Sequence, residues 1–378
     1  MPLEHIHNST GVIHESFSED RHKDRYLYLN LLIEAKNLAN QGRAGRPIRT
    51  EFNFNRSLLE QPNKYSVAVS KARIPTVDTP ILIAPFDDIN LLRTKWIIGL
   101  EVNGQEAQTN IIFQPRVNLN DNLPYYIKYG VFSMGHFLDM INSSFEQIFN
   151  ILKVTPGANL PLDAEPPVLF FDNNTKLFSF IVQRKYYDRD NIDVGLGDYI
   201  RVKYNAELET LIPFFDADGF EFFSQTPTTL YITDSLNNKT PPNNLALSGL
   251  TITDYFYVSQ CTNTGLANWN PISKILIRTN LPLKNNIIPE EFDNEVKEDT
   301  VIDVLYNNVT AENFFNRNDI EITTSTPDYQ NLTGSAPLSA LSISVFWKDK
   351  FDNEYALTMP SGSQASFTLM FHHRIIEK

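Results

Sequence analysis

Few side chains in this 378-residue chain have the types and spacing that chemistry needs. His5, His7, His14 and His22 gather near the start, and His5-x-His7 puts two imidazoles close enough to share a metal ion. They sit in a stretch of mixed charge with no regular pattern, where such a pair is more simply incidental. Asp188, Asp190, Asp193 and Asp198 fall within one short stretch, and Asp216-Ala-Asp218-Gly219 opens like a calcium-binding loop. Carboxylates so placed could hold Ca2+ or work as a glycosidase acid and base. The second motif lacks the later ligands and flanking helices of an EF-hand, so solvated loop acids are the default reading of both.

Nucleophilic catalysis requires a hydroxyl or thiol beside a base. The chain has no G-x-S-x-G elbow, and Ser361-Gly-Ser363 reads as a turn between strands. Cys261, the single cysteine, has no histidine near it in sequence and reads as an incidental thiol. One thiol also excludes intrachain disulfides and cysteine-built metal centres. Gly42-Arg-Ala-Gly-Arg46 lacks the lysine and spacing of a phosphate-binding loop and reads as a hinge. His372-His373 alternates on the last strand, so at most one of the two should face the core. No catalytic, cofactor-binding or metal-ligating residue is therefore assigned, and no cofactor is expected.

Composition narrows the class. With 42% hydrophobic and 12% aromatic residues the chain can bury a core. Phe and Tyr suit pleated, half-buried surfaces, while abundant Asn and 22 Pro supply turns, so an all-β protein is expected. A net charge of −13 repels phosphate and argues against a nucleic-acid-binding body. Lys23, Arg43, Arg46 and Arg49 make the early segment less acidic, and a contact with a neighbouring protein subunit is favoured for it over nucleic-acid binding. Met1 to His7 shows no basic region leading into an apolar core, and no apolar run could span a bilayer, so synthesis in a cytosol or a compartment continuous with it, without membrane insertion, is expected. Sequons such as Asn142-Ser-Ser are then read as unused.

The elements that would position any site follow from periodicity. Residues 1–46 read as an amino-terminal arm, with a short amphipathic stretch at Tyr26 to Leu38. Alternation then predicts strands at Ile48 to Asn55, Tyr65 to Ile74 and Lys95 to Asn103, the last closed by the turn Asn103-Gly104. Apolar residues three and four apart predict a helix from Ser133 to Leu152, with Ser133 as N-cap and Pro156-Gly157 as stop. A hairpin, Val168 to Phe171 with Leu177 to Val182, follows it. Five main strands come later, at Ile272 to Thr279, Thr300 to Tyr306, Asp319 to Thr324, Ser339 to Trp347 and Gln364 to His373. Three strands before and five after suit one jelly-roll β-sandwich with a large, mostly β insertion carrying one amphipathic helix. The expected division is 1–46 arm, 47–104 with 266–378 jelly-roll base, and 105–265 inserted lobe. One of Phe346 and Trp347 should lie in the core and the other on the opposite face.

Four stretches resemble the minor capsid, or penton, proteins of virophages and Polinton-type elements. They are Tyr65-Ser-Val-Ala-Val-Ser-Lys-Ala-Arg-Ile-Pro75; the helix from Ser133-Met-Gly-His-Phe-Leu-Asp-Met-Ile-Asn142 to Phe149; Pro167-Val-Leu-Phe-Phe-Asp-Asn-Asn-Thr-Lys-Leu-Phe178; and Leu341-Ser-Ile-Ser-Val-Phe-Trp-Lys-Asp349 with Tyr355 to Pro360 and Ser366 to Phe371. The block up to Arg46 has no counterpart. The resemblance implies a non-enzymatic virion protein forming the homopentameric vertex of an icosahedral capsid, against neighbouring major capsid proteins. Two other readings remain: an attachment module whose lobe binds a glycan or host receptor, and an all-β hydrolase with a dispersed site.

Overall fold

A computed structural model describes residues 11–16, 25–35, 46–76, 78–190, 197–220, 224–233, 254–261, 269, 271–283, 287–292, 295–306, 319–323, 328–360 and 362–373. The chain divides into two compact units, Met1–Thr79 with Pro271–Lys378, and Pro80–Asn270. In chain order the first unit has a strand at Gly11–Ser16, then β1 (Arg25–Glu34), β2 (Arg49–Asn53) and β3 (Tyr65–Pro75). The second unit holds β4 (Arg93–Val102), β5 (Gln105–Ile112), the helix α1 (Met134–Val154), β6 (Val168–Asp172) and β7 (Leu177–Gln183). It continues with β8 (Arg201–Tyr204), the single turn α2 (Ala206–Glu209), β9 (Ala217–Phe220), β10 (Thr228–Leu230) and β11 (Tyr255–Ser259). The first unit then resumes with β12 (Lys274–Thr279), β13 (Glu295–Tyr306), β14 (Asp319–Thr323), β15 (Ala340–Lys348), β16 (Glu354–Ala356) and β17 (Gln364–His373).

Strand order in the first unit is that of a jelly roll. One sheet runs Gly11–Ser16, β1, β17, β3, β14; the other runs Ile287–Phe292, β13, β12, β15, with β2 and β16 both on the far side of β15. Ranked along the chain, the eight principal strands pair as 1-8-3-6 and 2-7-4-5, two interlocked Greek keys. Alternation explains why these segments are strands. Leu29, Leu31 and Ile33 are buried on β1, as are Phe367, Leu369 and Phe371 on β17 and Leu341, Ile343 and Val345 on β15. Each such side chain withdrawn from water contributes about 1.5–3 kcal/mol.

Three expectations need correction. Tyr26 to Leu38 is not an amphipathic piece of an arm: β1 pairs residue for residue with β17, from Arg25↔His373 to Glu34↔Gln364. The period there is two, because buried Leu29, Leu31, Ile33 and Ala35 alternate with half-buried neighbours. Lys95 to Asn103 is not the third base strand. Its residues up to Val102 belong to β4, at the centre of a sheet of the second unit, and β1 takes its place in the count. Lastly, Phe346 and Trp347 are both buried, not one of the two. The Arg278 guanidinium covers the Phe346 ring at 4.5 Å while Trp347 meets Tyr355 at a tilt, centroids 4.5 Å apart, so β15 is covered on both faces.

In the second unit β4 carries β8 on one side, continuing to β10 and β9, and β5 on the other. Asn103 and Gly104, at φ 52° and 72°, close the β4–β5 hairpin with the two left-handed residues that a primed turn requires. Strands β6, β7 and β11 make a separate three-stranded sheet. The helix α1 lies against β4, β5 and β6. Ser133 caps it, its Oγ accepting from His136 N–H at 3.2 Å, and Gly157 at φ 92° follows its end. Its buried face (Phe137, Met140, Ile141, Phe145, Ile148, Phe149 and Leu152) meets Trp96, Phe178, Phe180 and Trp269 through edge-to-face rings 4.5–6.2 Å apart.

Candidate functional site

The structure does not gather the chemically suggestive residues. His5, His7, His22, Lys23, Arg43, Asp193 and Ser361 lie outside the described residues, and His14 falls in the strand Gly11–Ser16. Asp188 is buried and its Oδ1 accepts the Asp190 N–H at 3.0 Å. Asp198 faces Arg201, with Nη1 to Oδ2 at 2.7 Å and Nη2 to Oδ1 at 3.3 Å. Asp216 leads directly into β9, which pairs with β10, so the Asp-Ala-Asp-Gly segment enters a strand and not a calcium loop. Among the described residues no three His, Cys, Asp or Glu side chains are grouped to hold a metal.

Cys261 is exposed, with Sγ 3.8 Å from Asp216 Oδ1. Ser363 donates through Oγ and N–H to Pro360 O, at 2.7 and 3.2 Å, beside Gly362 at φ 84°; this is a turn into β17. His372 stacks on Tyr26 and His373 meets Tyr65 edge-on, and both rings are half-buried. Asn142 does not present its amide to solvent for modification. Its Nδ2 donates to Leu169 O at 3.0 Å and its Oδ1 accepts Leu169 N–H at 2.7 Å, closing the free edge of β6.

Three features had no sequence signature. The first is a charge network on the β4–β5–β8 sheet. Lys203, 2% exposed, places Nζ 2.5 Å from Glu101 Oε2 and 3.9 Å from Glu106 Oε1. An ammonium withdrawn from water this far requires such partners. Gly99 stands opposite Lys203, and a side chain there would press on Thr226 and Glu106. The second is His136, buried at the start of α1. Its Nε2 lies 2.6 Å from Gln114 O, so Nε2–H donates and Nδ1 is left as an acceptor with no hydrogen-bond partner. Burial holds its pKa below the usual histidine value, an effect the nearby Arg116 charge reinforces and the Gln114 bond opposes.

The third is apolar surface. Leu162 is 97% exposed and Val154 80%, with Ile151 half-exposed on the same helix end. Lys153 Nζ sits 3.4 Å from Leu162 O, which brings these residues together. Elsewhere in the unit, Leu82, Ile83, Pro85, Trp96 and Leu211 line an open groove of about 380 Å³ with Glu207 and Thr210 on its wall. Exposed apolar surface of this kind suits contact with other proteins.

Comparison with known proteins agrees. The family model described as Sputnik minor capsid protein V18/19 matches residues 27–373. Two proteins of Sputnik virophage are similar. One, described as uncharacterized protein V18, is 24% identical over 136 residues, covering 30% of this chain and 78% of its own length. The other, structural protein V19, is 26% identical over 216 residues, 55% of this chain and 95% of its own. Among solved structures, a chain of the 3.5 Å cryo-EM structure of Sputnik virophage superposes with a TM-score of 0.70 at 22% identity, over 93% of this chain and 99% of that one. The mavirus penton protein superposes with a TM-score of 0.59 at 15% identity, over 92% and 99%. The resemblance read from the four sequence stretches is thus borne out, and with the jelly-roll order it places this chain in the Sputnik minor capsid protein V18/19 family, as a structural protein of the virion capsid.

Proposed function

We propose that this chain forms the fivefold vertex of the capsid as a homopentamer, with its jelly-roll unit set among neighbouring major capsid proteins. The observation that carries the reading is the 1-8-3-6 and 2-7-4-5 strand order, in a chain that superposes on the mavirus penton protein along most of its length. A sandwich of this kind has unlike sides, and unlike sides meet head to tail, which closes into rings. Negative-stain imaging and solution mass of the purified full chain at rising concentration test it. Five-membered rings are the expected result, and twofold dimers in the shell would overturn it.

A second role is compatible with the first. Of the ten large apolar side chains exposed among the described residues, nine belong to Pro80–Asn270 and only Phe351 to the other unit. Such surface favours a unit that meets other molecules, so attachment through a glycan or host receptor fits here. A glycan screen on intact rings tests it, with binding lost when exposed residues of this unit are changed.

A further inference from the structure

We propose that Pro80–Asn270 carries both halves of a contact between copies of this chain: the apolar end of α1 in one copy seats in the groove beside Trp96 in the next. The inference rests on the ring reading above and names the surfaces that would join its members.

The two surfaces stand at opposite ends of one helix. Trp96 lines the groove and packs against Phe137 at 5.6 Å between ring centroids, in the first turn of α1. Val154 ends the same helix seventeen residues later, about 25 Å away at the rise of an α-helix. A protrusion and a recess at separate places on one body let each copy offer its protrusion to the recess of the next. They give a head-to-tail contact that repeats from copy to copy.

The protrusion is held in shape before it meets anything. Tyr186 Oη donates to Asp163 Oδ1 at 2.6 Å, Tyr187 Oη to Glu165 O at 2.8 Å and Tyr255 Oη to Glu165 Oε2 at 2.7 Å. Gln183 spans the loop as well, accepting from Glu165 N–H at 2.7 Å and donating to Asp163 O at 3.0 Å. Leu162 is therefore displayed from a braced loop, and docking it orders little more chain. Charge completes the match. Lys153 brings a cation to the protrusion, and the groove carries the exposed carboxylate of Glu207 beside its apolar floor. An apolar centre with opposite charges alongside is the composition of a specific contact, and both halves are encoded in the one chain.

The test uses the full chain and reads ring formation against concentration. Leu162→Asp should raise the concentration needed for rings by roughly tenfold or more while leaving the melting temperature unchanged, because the side chain is solvent-exposed. Lys153→Glu and Glu207→Lys should each weaken assembly, and the two together should restore it; a purely structural effect would not be rescued. In a Cys261→Ser background, Leu162→Cys with Ile83→Cys should yield disulfide-linked oligomers on oxidation. Wild-type rings with unimpaired Leu162→Asp rings and no cross-link would overturn this contact and leave the ring reading standing. A wild-type chain that stays monomeric at every concentration would overturn both.

Discussion

At the scale of single residues, the amides of Asn and Gln act less as turn formers than as stand-ins for backbone. Asn142 closes the edge of β6, and Asn205, just past the end of β8, continues that strand's pairing with β4, accepting from Ile97 N–H at 3.1 Å and donating to Lys95 O at 2.7 Å. Gln260 accepts Phe178 N–H at 2.7 Å and donates to Pro213 O at 2.5 Å. An amide has the donor and acceptor geometry of a peptide group, so it can end a ladder without leaving orphans. Asn142→Ala should strand both polar groups of buried Leu169 and cost about 2–4 kcal/mol, measured by denaturant unfolding. None of this was legible beforehand, because each amide reaches a segment distant in sequence. His136 makes a second prediction. Its folded pKa is below the 6.5 of the unfolded chain, so the unfolded state takes up protons first as pH falls. The contribution is intact above about 6.5 and declines as pH drops from there toward the folded value. Thermal melts should fall across that window and flatten in His136→Gln.

At the scale of elements, the outcome turns on which period a short apolar run is read with. Tyr26 to Leu38 holds Leu29, Leu32 and Ile33 three and four apart, which suggests a helical stripe, yet apolar residues also recur at every second position from Leu27 to Ala35. Its partner, β17, lies more than 300 residues away, and only that pairing decides between the two readings. The helix from Ser133 was legible because its cap, apolar face and stop all lie within one local segment. Strand β15 shows the limit of alternation: its burial is continuous from Ile343 to Trp347, since both faces are covered. Truncating Trp347 to Ala should cost about 3–5 kcal/mol, and Phe346→Ala should be costly too, unlike an outward residue. Paired chemical-denaturation curves for the two variants check this.

At the scale of the molecule, the eight jelly-roll strands all belong to Met1–Thr79 and Pro271–Lys378, and none is supplied by Pro80–Asn270. Number of strands and fold class could be read in advance; the membership of two strands could not, because a central strand of either unit has the same alternating pattern. The arrangement has a mechanical consequence. Strand β3 ends at Pro75 and β12 begins at Lys274, so everything between them is one long connection of the sandwich. Loop-closure entropy grows only slowly with length, and a shorter connection costs the sandwich little. Replacing 80–270 with a Gly/Ser linker should therefore leave a folded β protein with a single cooperative melt and the pairing of β1 with β17 intact, seen as slow amide exchange along both strands. The same deletion removes the protrusion and the groove together, so the shortened chain should assemble into rings only at much higher concentration than the full one. Loss of the melt itself would show that the sandwich depends on its insertion, and rings at unchanged concentration would place the ring contacts in the jelly roll alone.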